Sequence, residues 1–255
     1  MKKQLPAIEA FLKTRPTCIA HRGGSGIAPE NTLAAFEKAI RIGAPWAELD
    51  VRASRRGALV VIHDRSLERT TNGSGQVSDF TLKELQSLNA GSHFSPKFAG
   101  ERIPAFNEVL KAARGRLRLL VEIKEEGIEE AVASALRKSR MSDDCIVISF
   151  SPRVLYRMRS IAKDIATGLI LKLDKPVPPS PLILRARRVG GSMISPSKEG
   201  VTRKFVEAAH SKDVPIITWT VNEAARMREL LATDVDGITT DRPDILLNLL
   251  REEHK

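Results

Sequence analysis

The sequence predicts an α/β chain folded as a (β/α)8 barrel, the TIM-barrel architecture, and three observations lead there. Eight short apolar runs recur along the chain, amphipathic stretches of helical period separate them, and 255 residues is the length such a barrel occupies. With 42% apolar and 28% charged residues the chain can bury one large core, and the unbroken alternation favours a single domain over residues 1–255.

The strand runs, in order, are Thr17–Ala20, Ala47–Val51, Leu117–Ile123, Cys145–Ser149, Ala166–Leu171, Ser192–Ser195, Pro215–Val221 and Asp236–Thr239. Most of them read as short apolar runs, as expected of parallel strands covered on both faces. Between and after them lie helical stretches at Asn31–Ile42, Ala105–Ala113, Ile128–Lys138, Pro152–Ala162, Arg203–Ser211, Glu223–Leu231 and Pro243–Glu252. Lys172–Arg188 is the exception: Pro176, Pro178, Pro179 and Pro181 precede a short basic segment, and no long helix is expected there. A ninth apolar run, Ala58–Ile62, follows Val51 too closely for a crossover helix. It is expected to fold back as an antiparallel hairpin around Ser54–Gly57, which brings His63 roughly opposite Asp50. Residues 64–104 then form an insertion rich in Thr, Gly and Ser, with one helix at Leu82–Leu88, expected to cover a site at the carboxyl-end face of the barrel.

Composition excludes several functions. No apolar run approaches the roughly 20 residues that cross a bilayer, and the start, Met1 to Arg15, lacks a signal-peptide core, so a cytoplasmic protein is the expectation. Cys18 and Cys145 each sit inside a strand run and read as buried reduced thiols, with no disulfide framework and no zinc site. The net charge of +10 attracts anions in general. With only 4% aromatic residues the chain has no stacking surface for single-stranded nucleic acid, so no nucleic-acid partner is expected and a solvated basic surface accounts for most of the cations.

In a barrel of this kind the chemistry gathers where strands end. The first strand ends in His21-Arg22-Gly23. The second carries Glu48 and Asp50, whose i, i+2 spacing puts both on one face. The hairpin delivers His63 and Asp64, and the third barrel strand ends in Glu122-Ile123-Lys124. Any one of these is ordinary alone, a structural histidine or a solvated acid pair. Together at one rim they are not, because lumen-facing positions are otherwise Val, Ile or Leu, and three buried carboxylates need a counter-cation. Three carboxylates are hard oxygen ligands, suited to one divalent cation, Mg²⁺ or Ca²⁺. Two imidazoles can share acid and base roles across a phosphodiester, and Arg22 and Lys124 add fixed positive charge for phosphate oxygens. No nucleophile elbow and no complete dinucleotide fingerprint compete with this reading.

The motifs His21-Arg22-Gly23, Pro29-Glu30-Asn31-Thr32, Glu48-Leu49-Asp50-Val51, His63-Asp64, Arg69-Thr70-Thr71, Glu122-Ile123-Lys124, Trp219-Thr220-Val221-Asn222 and Asp241-Arg242-Pro243 together resemble the glycerophosphodiester phosphodiesterase family, over roughly residues 17 to 250. The resemblance implies His21 and His63 as the catalytic pair, Glu48, Asp50 and Glu122 as metal ligands, and Arg22 and Lys124 as phosphate contacts. It implies glycerol 3-phosphate and an alcohol as products, from attack by the glycerol hydroxyl beside the phosphate and opening of the cyclic product by water. Glu30 and Asn31 are read as orienting the metal ligands, with helix capping as the alternative for Asn31, and Trp219 as lining the glycerol pocket or as a core aromatic.

Two departures stand out. Ser54-Arg55-Arg56-Gly57 lacks the family's acidic residue before the glycine, and Ser92-His93-Phe94 replaces an aromatic-rich stretch, which bears on headgroup preference. A lysophospholipase D acting on lysolipids shares every residue named, and a non-catalytic anion- or lipid-binding module is the alternative from another class. The partner expected is a small phosphodiester, with peripheral membrane contact through the basic residues of 176–188 as a further option.

Overall fold

The computed structural model describes residues 4–252; the first and last three residues, included in the domain expected over 1–255, lie outside the described residues. Helix α1 (Pro6–Lys13) precedes β1 (Thr17–Ala20), α2 (Leu33–Ile42), β2 (Trp46–Ala53), β3 (Leu59–Val61) and α3 (Leu82–Gln86). There follow α4 (Phe106–Ala113), β4 (Arg118–Ile123), α5 (Glu129–Lys138), β5 (Cys145–Ser149), α6 (Pro152–Ile161), β6 (Ala166–Leu171) and α7 (Pro179–Arg188). The chain ends with β7 (Met193–Pro196), α8 (Arg203–His210), β8 (Ile217–Thr218), α9 (Ala224–Leu231), β9 (Gly237–Thr240) and α10 (Pro243–Glu252).

Eight strands run parallel in the order β7-β6-β5-β4-β2-β1-β9-β8. Parallel bridges Ile194↔Ile216 and Ser197↔Trp219 bring the two ends of that order together, giving the expected barrel. The ninth strand, β3, pairs antiparallel with β2 alone, with Val51 opposite Val61 and Ala53 opposite Leu59. That register, with the Ile62 N–H donating to the Asp50 carbonyl, sets Ile62 opposite Asp50 and His63 one residue further along.

Strand alternation divides the core. Outward residues of the first strands, among them Leu49, Val51, Val121 and Val147, pack under α2, α4, α5 and α6. Inward residues Ile19, Trp46, Leu120, Ile146, Ile170, Met193 and Ile217 fill the lumen and join Ala7, Ile8 and Phe11 of α1 in one buried cluster. Phe11 meets Trp46 edge-on, ring centroids 5.5 Å apart, so α1 caps the amino-end floor. A side chain on Gly237 would lie 3.0 Å from Phe11, and the bare backbone there makes room for this plug.

Besides α1, which the sequence reading did not anticipate, three elements differ from it. Pro179–Arg188 is a ten-residue helix although no long helix was expected. Pro179 and Pro181 both fall in its first turn, where no intrahelical N–H bond is lost. Helix α2 begins at Leu33 rather than Asn31: Thr32 is the cap, accepting from the Ala35 N–H, while Asn31 lies in the left-handed region at φ 57°. The insertion folds around a small core of its own, Leu67, Val77, Leu85 and Ile103 against Val60 and Ile62 of the hairpin, and stands beside the barrel mouth rather than over it. Both cysteines are buried and unpaired, and burial pushes both thiols far up.

Candidate active site

The inward rows that are apolar near the floor turn ionic toward the carboxyl ends. Along β2 the same face carries Trp46, then Glu48, then Asp50, and in register on β4 Leu120 gives way to Glu122 beside Asp50. One oxygen from each of Glu48, Asp50 and Glu122 lies within 4.8 Å of the others, and all three residues are buried. Lys124 donates to Glu122 at 2.7 Å and sits 3.3 Å from Asp50. Arg22 Nε lies 3.4 Å from Asp50, and the Arg22 backbone N–H donates to Glu48 at 3.0 Å.

That last bond depends on an unusual backbone. Arg22 is held at φ 51°, a conformation that costs a non-glycine residue of order 1 kcal/mol. Gly23 follows at φ 81°, where a Cβ would come within 2.7 Å of Ala35, so the strand end and the start of α2 meet only with glycine there. Asn31, also left-handed, donates to Asp50 at 2.8 Å. The capping of α2 falls to Thr32 instead. Glu30 differs from expectation: it bonds none of the three carboxylates but holds Arg22 at 2.9 Å.

Three carboxylates facing two cations leave one negative charge in excess. Burial, then the neighbouring Asp50, pushes Glu48 well above the usual carboxylate range and Glu122 up to about 7. Asp50 is buried too, but Lys124, Arg22 and His63 outweigh that and hold it low. An all-oxygen donor set that takes up protons for want of positive charge fits a hard divalent cation, which would turn the excess from negative to positive.

The two histidines stand on either flank. His21 Nδ1 is 2.6 Å from Asp241, and its Nε2 is 3.8 Å from Glu48. Asp241 is steadied by Ser25 and by Asn222 at 2.7 Å. His63 Nδ1 is 2.6 Å from Asp64, whose second oxygen accepts from Arg69. Burial lowers the His63 pKa from its ordinary value, against the pull of Asp50. In both, one ring nitrogen is tied to a carboxylate and the other is left for the cavity.

A cavity of about 130 Å³ unites these groups. Its charged wall is His21, Arg22, Glu48, His63, Glu122 and Lys124; the opposite wall is Ile148, Phe150, Ile170, Ile217 and Trp219. Trp219 is among its lining residues, its Nε1 donating to the Ser195 carbonyl at 2.9 Å and its ring edge-on to Phe150 at 5.5 Å. No residue of 64–104 lines it. The sequence reading passed over Asp241 and Phe150, although Asp241 also directly follows a strand and so answers the rule that collected the others.

Acids for a hard cation, cations for an oxyanion and a pair of held imidazoles are what cleavage of a phosphoric diester requires, and fold and site together define a barrel hydrolase of that class. The chain belongs to the glycerophosphoryl diester phosphodiesterase family, whose model matches residues 21–245. It is 38% identical over 240 residues to a glycerophosphodiester phosphodiesterase of Caldanaerobacter subterraneus subsp. tengcongensis, a match spanning 92% of this chain and 97% of the relative. With one of Bacillus altitudinis it shares 35% identity, over 92% and 98% of the two chains. Among solved structures, a glycerophosphodiester phosphodiesterase from Agrobacterium tumefaciens superposes with a TM-score of 0.79 at 33% identity, over 90% of this chain and 98% of that one. An Oleispira antarctica phosphodiesterase in complex with the product sn-glycerol-3-phosphate gives 0.85 at 27% identity, over 94% and 99%. The activity is therefore that of a glycerophosphodiester phosphodiesterase, and among the described residues no helix is long and apolar enough to cross a membrane.

Proposed function

We propose that the chain hydrolyses glycerophosphodiesters to glycerol 3-phosphate and an alcohol, with His21 and His63 as the acid/base pair. The observation that carries this is the paired arrangement of the imidazoles, each with Nδ1 held by an aspartate, one beside Glu48 and the other near Asp50. Glu48, Asp50 and Glu122 would hold Mg²⁺ or Ca²⁺, which when bound supplies positive charge to the phosphate oxygens. Arg22 and Lys124, both on the charged wall, add fixed positive charge there. One imidazole takes the proton of the attacking glycerol hydroxyl at Nε2 while the other gives a proton to the departing alkoxide. The roles reverse when water opens the cyclic phosphate. Trp219 and Phe150 present an apolar face to the carbon skeleton of glycerol.

The test is release of glycerol 3-phosphate from glycerophosphocholine and glycerophosphoethanolamine, with chelator, Mg²⁺ or Ca²⁺ in turn and lysophosphatidylcholine alongside. Metal-dependent release from the short diesters is the expected result. Activity confined to the lysolipid would transfer the assignment to a lysophospholipase D, and silence on all three would leave a binding module.

A further inference from the structure

A ring of alternating charge joins the insertion to the site. Asp50 faces Arg22 at 3.4 Å, Arg22 donates to Glu30 at 2.9 Å, and Glu30 receives two bonds from Arg69, of 2.7 and 2.8 Å. Arg69 Nε donates to Asp64, Asp64 holds His63 at 2.6 Å, and His63 closes the ring through its attraction to Asp50. Asp64 and Glu30 divide their oxygens alike: Asp64 gives Oδ1 to His63 and Oδ2 to Arg69, while Glu30 gives Oε1 to Arg22 and both oxygens to Arg69. A carboxylate gripped at one end only is free to turn about its broad terminal torsion. Arg69 removes that freedom from both at once.

Arg69 lines no part of the cavity, and at 47% exposure an ordinary surface ion pair contributes little. What sets it apart is that Nε, Nη1 and Nη2 are all committed, to two different acids, a geometry that a guanidinium fork provides and an ammonium does not. Partial burial works against ionisation of Asp64, yet bonds from Arg69 and His63 hold it at about 2, so it stays charged throughout the neutral range.

We propose that Arg69 is a positioning residue for the phosphodiester reaction, fixing the His63 ring through Asp64 and the Arg22 guanidinium through Glu30, so that one side chain of the insertion sets two groups of the site. The inference rests on the roles given above to His63 and Arg22.

The experiment measures kcat and KM on glycerophosphocholine, and cation affinity by calorimetry, for Arg69→Gln, Arg69→Lys, Asp64→Asn and the double variant Asp64→Asn/Arg69→Gln. Arg69→Gln is expected to lower kcat about 10- to 100-fold, the range usual when the partner of an active group is removed, with cation affinity unmoved. Arg69→Lys should fall between it and the unaltered protein, and the double variant should lose less than the product of the two single losses. Glu101→Gln, which removes a charge from the same insertion but leaves an oxygen to accept from the Ala34 N–H, should keep its kcat. An unchanged kcat in Arg69→Gln, a loss no larger than that of Glu101→Gln, or independent multiplication with Asp64→Asn would overturn the inference. His63→Ala in the same assay separates the levels. If it is inactive while Arg69→Gln is normal, only the positioning role falls; if folded His63→Ala still turns over, the reading beneath it falls too.

Discussion

The two walls of the mouth come from strands of equal burial and the same lumen-facing geometry, yet they share almost no chemistry. From β1 through β4 the inward positions nearest the carboxyl ends are His21, Glu48, Asp50 and Glu122; from β5 through β8 they are Ile148, Ile170, Ser195 and Trp219. Each ionic side chain on the first wall is held by a counter-charge or a hydrogen bond, whereas the second wall carries no ionic side chain and Trp219 needs only its Nε1 bond to the Ser195 carbonyl. On the proposed reaction the barrel would separate the anionic part of a diester from its carbon skeleton by which strand carries which residue.

The sharpest way to break this division is His63→Ala, expected to cut turnover by about 10²- to 10⁴-fold, the usual weight of an acid/base group, while circular dichroism and cation binding stay as they were. Unchanged turnover in the folded variant would remove the two-histidine mechanism. Next in size, Glu48→Gln should weaken cation affinity by about 10- to 100-fold in a calorimetric titration, since it takes one charge from the ligand set; an unaltered titration refutes the ligand role. Saturating Mg²⁺ or Ca²⁺ at about a hundred times its dissociation constant should then stabilise the unaltered protein by about 2.7 kcal/mol in thermal unfolding, and Glu48→Gln should keep only about 0.4–1.4 kcal/mol of that gain at the same concentration. The apolar wall should answer differently. Phe150→Ala, at a site 44% exposed beside Trp219, should raise KM a few-fold with kcat nearly constant, because it removes contact made equally in ground and transition states. A fall in kcat to match that of His63→Ala would erase the contrast between the walls.

The ionic wall was far more legible in the sequence than its surroundings. Carboxylates at i, i+2 within apolar runs, and histidines where those runs end, conflict with a buried strand so plainly that they mark themselves. Asp241 was not marked, because one acid after a strand is commonplace until a histidine 220 positions away is seen to lean on it. Glu30 was singled out, but its pairing with Arg69 becomes visible only when the fold brings the two together. On the side of the fold, periodicity located the eight barrel strands to within about two residues, the usual error at element ends, except at β8, where regular pairing is confined to Ile217 and Thr218. It missed α1, whose eight residues take their partner from the barrel floor, and α7, where prolines suggested a break that their first-turn placement avoids.

The floor itself has a consequence for traffic. Phe11 and Trp46 pack edge-on at the amino end, within the buried cluster that fills the lumen, so the cavity lies on the carboxyl-end side of that packing. On the proposed reaction, substrate, cation and both products would share the one cavity that Phe150 and His63 both line. A glycerol phosphate held there would keep out the next diester, so competitive product inhibition is the expected kinetic signature.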